Sequence, residues 1–200
     1  MTDPQPLLIG SGNRDKAAEL AHILEGLPWT IHSLRDYPEV EEPIEDGATF
    51  EENALKKARY YGQQFGVACV ADDSGLVVDA LDGAPGVYSA RYAGEGCTYA
   101  DNNAKLLNAL RDTPESERTA RFVCCAALVL PDGRSHIELG TVEGRIAAEY
   151  RGANGFGYDP VFIPQGHDVT FGEMDPADKH AISHRGRAFR NLRAYLETVR

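Results

Sequence analysis

The sequence predicts an α/β fold built on a mixed β-sheet flanked by helices. Three observations carry that prediction. Short apolar runs alternate with segments of helical period in the first part of the chain, the pattern of strands joined through helices. Later, apolar runs follow one another with only a turn between them, which adds hairpin-type pairing. A length of 200 residues with 42% apolar and 26% charged side chains supports one packed domain, burying roughly 70% of the unfolded surface. No repeat, low-complexity tract or linker divides the chain, so residues 1–200 are expected to form a single domain.

The elements follow in order. Leu7-Leu8-Ile9 reads as a short buried strand ending in Gly10-Ser11-Gly12. Asn13 is a good N-cap for a helix with Ala17, Leu20, Ala21, Leu24 and Leu27 at helical spacing. Gly26 and Pro28 end it, and Trp29–Ser33 reads as the next strand. Glu39–Gly47 is acidic, polar and Pro-containing, hence a loop. Thr49-Phe50-Glu51-Glu52 predicts a capping box for a helix running to about Tyr61. Val67–Ala71 is expected to be a strand that stops at Asp72-Asp73-Ser74-Gly75, with Leu76–Leu81 resuming as another. Pro85–Gly96 is glycine-rich and irregular, and Thr98 caps a third helix carrying Leu106, Leu107 and Leu110. Arg121–Leu130 reads as a central strand, Pro131-Asp132-Gly133 as a turn, and His136–Val142 and the region near Ile146 as strands of a hairpin or meander. Gly152–Pro160 is a glycine-rich loop, and the last helix is expected to start near Ser183.

Charge narrows the function. With 31 acidic against 20 basic side chains the net charge is −11. Duplex nucleic acid is therefore an improbable partner, because its binders need a basic face to displace counterions. A small anionic ligand is still compatible, provided local cations or a metal ion meet it. No apolar run approaches the roughly 20 residues of a membrane span. The N-terminal residues lack a secretory pattern, and Cys69, Cys97, Cys124 and Cys125 form no CxxC pair. Reduced core thiols in a cytoplasmic protein are expected, without a zinc site.

Five segments could carry chemistry. Ser11, Gly12, Asn13, Arg14, Asp15 and Lys16 lie at a strand-to-helix junction, where free N–H groups and the positive helix end suit a phosphate. The segment matches neither a Walker A loop, since Asp15 precedes Lys16, nor a dinucleotide GxGxxG, since Asp15 takes the third glycine's place. An ordinary helix cap is the plainer alternative. Asp72 and Asp73 are expensive to bury unpaired, so they are expected at a strand end beside water or a hard cation such as Mg2+; a solvated turn is the alternative. The acidic loop with Glu41, Glu42, Glu45 and Asp46 reads as solvated surface, with one more carboxylate available to a metal.

In Gly155-Phe156-Gly157-Tyr158-Asp159-Pro160, an aromatic held by glycines could stack on a nucleobase while Asp159 bonds its edge; equally, the aromatics could be core. Lys179-His180-Ala181-Ile182-Ser183-His184-Arg185-Gly186 gathers cations in an acidic chain. The spacing of His180 and His184 would also suit a transition metal, but no third soft ligand is evident. Together the segments amount to the parts needed for a nucleoside triphosphate.

At these residues the sequence resembles the inosine/xanthosine triphosphate pyrophosphatases, the HAM1 or RdgB-like family. The matching segments are Ser11-Gly12-Asn13 with Lys16, Glu45–Ala54, Ala71–Leu76, Gly83–Tyr92, Gly155–Pro160 and Ser183–Gly186, in the family's order and over nearly the whole chain. The resemblance implies an elongated mixed α/β fold of two lobes with an active-site cleft between them. It implies Mg2+-dependent hydrolysis of ITP, dITP and XTP to the monophosphate and pyrophosphate, usually by a homodimer.

Residue by residue, it implies that Ser11, Asn13 and Lys16 hold phosphates, within the segment that also includes Gly12, Arg14 and Asp15. Glu45 and Asp73 would help bind Mg2+, with Asp72 beside them, and Asp73 would be the base toward the attacking water. Ser74 would contact substrate. Phe156, Gly157, Tyr158, Asp159, Lys179, His184 and Arg185 would form the base and sugar pocket. Competing readings are an enzyme acting on modified pyrimidine triphosphates, a non-catalytic nucleotide-binding module and, more distantly, a dinucleotide-dependent oxidoreductase.

Overall fold

The computed structural model of this chain describes residues 4–199. Its strands are β1 (Gln5–Ile9), β2 (Trp29–Ser33), β3 (Ala68–Val78), β4 (Thr119–Val129), β5 (Ser135–Ile146) and β6 (Phe162–Pro164). Its helices are α1 (Arg14–Leu24), α2 (Phe50–Phe65), α3 (Tyr99–Ala109), α4 (Pro176–Ile182) and α5 (His184–Leu196). The strands form one six-stranded sheet in the order β2-β1-β3-β4-β5-β6. β1 runs parallel to β2 and β3, and β6 pairs antiparallel with β5. The sheet is therefore mixed, as the sequence predicts: β1, β2 and β3, joined through α1 and α2, run parallel, whereas β6 runs against β5.

Local signals explain most boundaries. Asn13 Oδ1 accepts from the N–H groups of Asp15 and Lys16, capping α1. Gly66, in the left-handed region at φ 68°, ends α2. The expected capping box at Thr49 is half formed. Thr49 Oγ1 accepts from Glu52 N–H, but the Glu52 carboxylate takes Ala48 N–H instead, one residue further back.

Two expectations need correction. β3 does not stop at Asp72; it runs through Asp72–Gly75 to Val78 as one strand, and Asp79–Leu81 turns as 3-10 helix. His136–Val142 and the region near Ile146 are one strand, β5. The last helix, α5, starts at His184 beside Ser183 as expected, and a separate short helix, α4, precedes it across an extended Ser183 (ψ 150°). Asp175 and Pro176 start α4, a start signal that sequence reading passed over.

Two compact units are distinguishable. The first comprises the segment ending at Asp73, Cys124–Gly140 and the segment beginning at Arg185. One face of its sheet packs Leu7, Ile9, Val70, Cys124 and Leu128 with Leu20 and Leu24 of α1 and Phe189 and Leu192 of α5. The opposite face packs Ala71, Cys125 and Ala127 against Ala54 and Ala58 of α2, with Leu8 and Cys69 against Tyr61. The second unit comprises Ser74–Val123 and Thr141–His184, and its core gathers Leu76, Leu106, Leu110, Phe122, Phe162 and Phe171.

Candidate active site

In the first unit, the chain leaves β1 at Gly10, whose N–H donates to Val70 O at 2.8 Å. A Cβ on Gly10 would press on Cys69 Sγ and Tyr61, and one on Gly12 would overlap the Glu42 carboxylate. The turn is therefore shaped for close backbone approach. Ser11, Asn13 and Lys16 are half-buried around it, while Gly12, Arg14 and Asp15 are exposed.

Alternation along β3 then separates the two aspartates, since successive strand residues point to opposite faces. Asp72 joins the α1 and α5 face. Its Oδ2 is 3.3 Å from Lys16 Nζ and 3.3 Å from Arg185 Nε, with Cys124 Sγ at 3.8 Å. Asp73 joins the α2 face, where Asn53 Nδ2 donates to its Oδ2 at 3.0 Å. Both are buried, at 2% and 7% exposure. The expected strand-end pair is thus corrected to two mid-strand carboxylates on opposite sides, each answered by a donor or cation from a helix.

α2 supplies the second carboxylate's surroundings by helical spacing. Asn53 and Lys57 are one turn apart and face β3 together. Asn53 Oδ1 accepts from Gly47 N–H at 2.7 Å, which ties down the acidic loop. Lys57 Nζ sits 3.0 Å from Glu45 Oε1. Burial works against the Lys57 charge, but Asp72, Glu45 and Asp73 outweigh it and hold its pKa above the ordinary value. For Asp73 the balance goes the other way. Burial raises its pKa, and Lys57 and the Asn53 bond offset only part of that rise. A buried carboxylate so raised is a better proton acceptor than a solvated one.

Glu19, missing from the sequence reading, completes the opposite face. It lies on α1 one turn beyond Lys16 and pairs with Arg185 Nη1 at 3.0 Å. Arg185 is thus wedged between Glu19 and Asp72, and those carboxylates keep it firmly protonated although burial opposes the charge. Nothing in the sequence marks Glu19 out, since an acidic residue on an amphipathic helix reads as surface. Lys57 was equally hidden, whereas Asn53 lies inside the Glu45–Ala54 segment without having been given a role.

The second unit holds the aromatic loop. Gly155 and Gly157 both lie in the left-handed region, at φ 74° and 65°. A Cβ on Gly155 would overlap Asp159 Oδ2. Asp159 is buried, and its Oδ2 accepts from Phe156 N–H at 2.7 Å and from Lys179 Nζ at 2.5 Å, so it braces the turn from within. Lys179 Nζ also lies 5.0 Å from the Phe156 ring centroid, with the Tyr99 ring 6.2 Å from the same ring. Tyr158 is core, with its hydroxyl donating to Ser89 O at 2.9 Å. His184 stacks on Phe122 with ring centroids 4.6 Å apart. Ser74 is half-buried on β3.

The predicted cationic cluster is accordingly divided. Lys179 belongs to α4 beside Asp159, His184 to the Phe122 stack, and Arg185 to Glu19 and Asp72 in the first unit. His180 is exposed on α4.

Among the described residues no three His, Cys, Asp or Glu side chains group closely enough to hold a metal ion. One or two carboxylates are nonetheless what Mg2+ takes when substrate phosphates and water supply its other ligands. Glu45 and Asp73, both beside Lys57, are an all-oxygen donor set of that kind. No helix among the described residues is long and apolar enough to cross a membrane.

Comparison with known proteins places these features. The model of the Ham1 family matches residues 7–195. The chain is 50% identical over 190 residues to a dITP/XTP pyrophosphatase of Geobacter sulfurreducens, covering 95% of this chain and 96% of that protein. It is 51% identical over 189 residues to a dITP/XTP pyrophosphatase of Nocardia farcinica, covering 93% and 92%. A HAM1 protein structure from Coxiella burnetii superposes with a TM-score of 0.87 at 42% identity, covering 98% of this chain and 100% of that one.

Proposed function

This chain belongs to the Ham1 family, and from that premise we propose that it hydrolyses non-standard purine nucleoside triphosphates, among them dITP, ITP and XTP, to the monophosphate and pyrophosphate. The observation that carries the reading is full-length identity near 50% to proteins named for dITP and XTP. The side chains supply a chemistry that agrees with it.

A triphosphate resists attack because its oxygens are negative, so cations must offset that charge. Lys16, on the first turn of α1, would do so, with Ser11 and Asn13 as polar partners for the phosphates. Asp73 would accept the proton of a water as its oxygen bonds the α-phosphorus. The bond from that phosphorus to the bridging oxygen breaks, and pyrophosphate leaves. The burial of Asp73, with Asn53 Nδ2 holding its Oδ2, supports this role. Glu45 and Asp73 would hold Mg2+, which when bound would offset phosphate charge. Asp72 would fix Lys16, and Ser74 would contact substrate.

Phe156 would stack on the purine, with Gly157, Tyr158, Asp159, Lys179 and His184 shaping that pocket. Rejection of ATP follows if the pocket pairs with a 6-oxo group and leaves a 6-amino group unpaired. We further propose a homodimer in the cytoplasm that acts on free nucleotides and binds neither nucleic acid nor membrane.

The test is a panel of dITP, ITP, XTP, GTP and ATP with and without Mg2+, with both products identified. Pyrophosphate and IMP from ITP, dependent on Mg2+ and far faster than any product from ATP, are expected. Equal rates on ATP and ITP would overturn the reading.

A further inference from the structure

We propose that Asn103 on α3 is a positioning residue for purine recognition, its amide fixing the Gly157 carbonyl and with it the Phe156 turn. The proposal rests on the reading that Phe156 and its neighbours take the purine.

Asn103 is 2% exposed and faces inward on α3 together with Leu106. Its Nδ2 donates to Tyr99 O and to Gly157 O, each at 2.8 Å. These two carbonyl acceptors decide which way the amide is turned, because the reverse orientation would set three oxygens against one another. Its Oδ1 is buried and accepts no hydrogen bond among the described residues. An amide in that state costs stability. If filling space were the task, an apolar side chain of similar volume would serve better. What the amide adds is the bridge from helix to turn.

The neighbouring Asn102 clamps a different segment, through Ala93 N–H and Ala90 O. Within the turn itself, Phe156 N–H is held by Asp159 Oδ2, and Phe156 O accepts from Asp159 N–H at 3.3 Å. Both bonds are internal, so they set the turn's shape and not its position. The Asn103 bond ties the next carbonyl to α3, the helix that also carries Tyr99 beside the Phe156 ring. A stacking surface held this way meets the base without first having to be ordered.

The experiment compares wild type, Asn103→Asp and Asn103→Ser in steady-state hydrolysis of ITP and ATP. Inorganic triphosphate serves as a competitive inhibitor that reports on the phosphate residues alone. Asn103→Asp sets a carboxylate against two carbonyls and loses both bonds; loss of the one to Gly157 O, which reaches the turn, corresponds to about a tenfold rise in KM for ITP. The ITP-to-ATP ratio of kcat/KM should fall with it, while kcat and triphosphate inhibition hold. Asn103→Ser keeps one donor and should be intermediate; it carries the same test if the Asp variant does not fold. Unchanged KM and unchanged selectivity would overturn the proposal, as would inhibition by triphosphate weakening in parallel with ITP. An inactive wild type would instead refute the proposed function, so the two failures are distinct.

Discussion

Arg185→Met is the most demanding perturbation of the first unit. Arg185 lies between Glu19 and Asp72, and the three side chains are 4%, 6% and 1% exposed. Removing the guanidinium leaves Glu19 with a buried charge and no ion pair to another cation among the described residues. Asp72 keeps Lys16 at 3.3 Å. Breaking a buried ion pair from one side costs about 3–5 kcal/mol. For a chain of this length each kcal/mol corresponds to about 2–4 °C, so Tm should fall by roughly 6–20 °C. The double variant Glu19→Leu with Arg185→Met removes the stranded carboxylate and should recover more than half of that loss. The assay is thermal unfolding followed by circular dichroism, with both single variants and the double one. A Tm for Arg185→Met within about 2 °C of wild type would refute the reasoning. So would a double variant as unstable as the sum of the singles, since coupling between the two groups is the premise.

Three further outcomes follow from other observations. Asp73→Asn should fold normally and lower kcat by about 10²–10⁴, the range for loss of a positioned base; steady-state kinetics beside an unfolding curve checks both. Gly155→Ala should raise KM for ITP and lower Tm, because its Cβ would overlap Asp159 Oδ2 and its φ of 74° disfavours a side chain. Burial pushes the Cys69 and Cys125 thiols up to about 12 and Cys124 well above its ordinary value, whereas Cys97 is only half-buried. A disulfide-exchange reagent at pH 8 should therefore titrate one thiol in the native protein and all four after denaturation.

What was legible in the sequence were features whose causes are local. Asn13 caps α1, glycines shape both turns, and apolar periodicity marks the helices, because each depends on residues within a turn or two. The arrangement around Asp72 and Asp73 depends on residues far away. Lys16 is 56 positions from Asp72, Arg185 is 113, and Glu19 is 166 from Arg185. Without those partners an Asp-Asp-Ser-Gly run reads as a turn, and in their presence it continues as a strand with charges on both faces. The short helix α4 went unseen for a different reason. The helix from His184 was legible, whereas α4 is only seven residues long and too short to show a period of its own. The net charge of −11 also gains detail, since part of the acid is enclosed with the cations it holds.

Hydrolysis of ITP in 18O-labelled water tests the central claim most directly. The account predicts one labelled oxygen in IMP and none in pyrophosphate, because water attacks the α-phosphorus. Label in pyrophosphate or in orthophosphate, or IDP as a product, would contradict it.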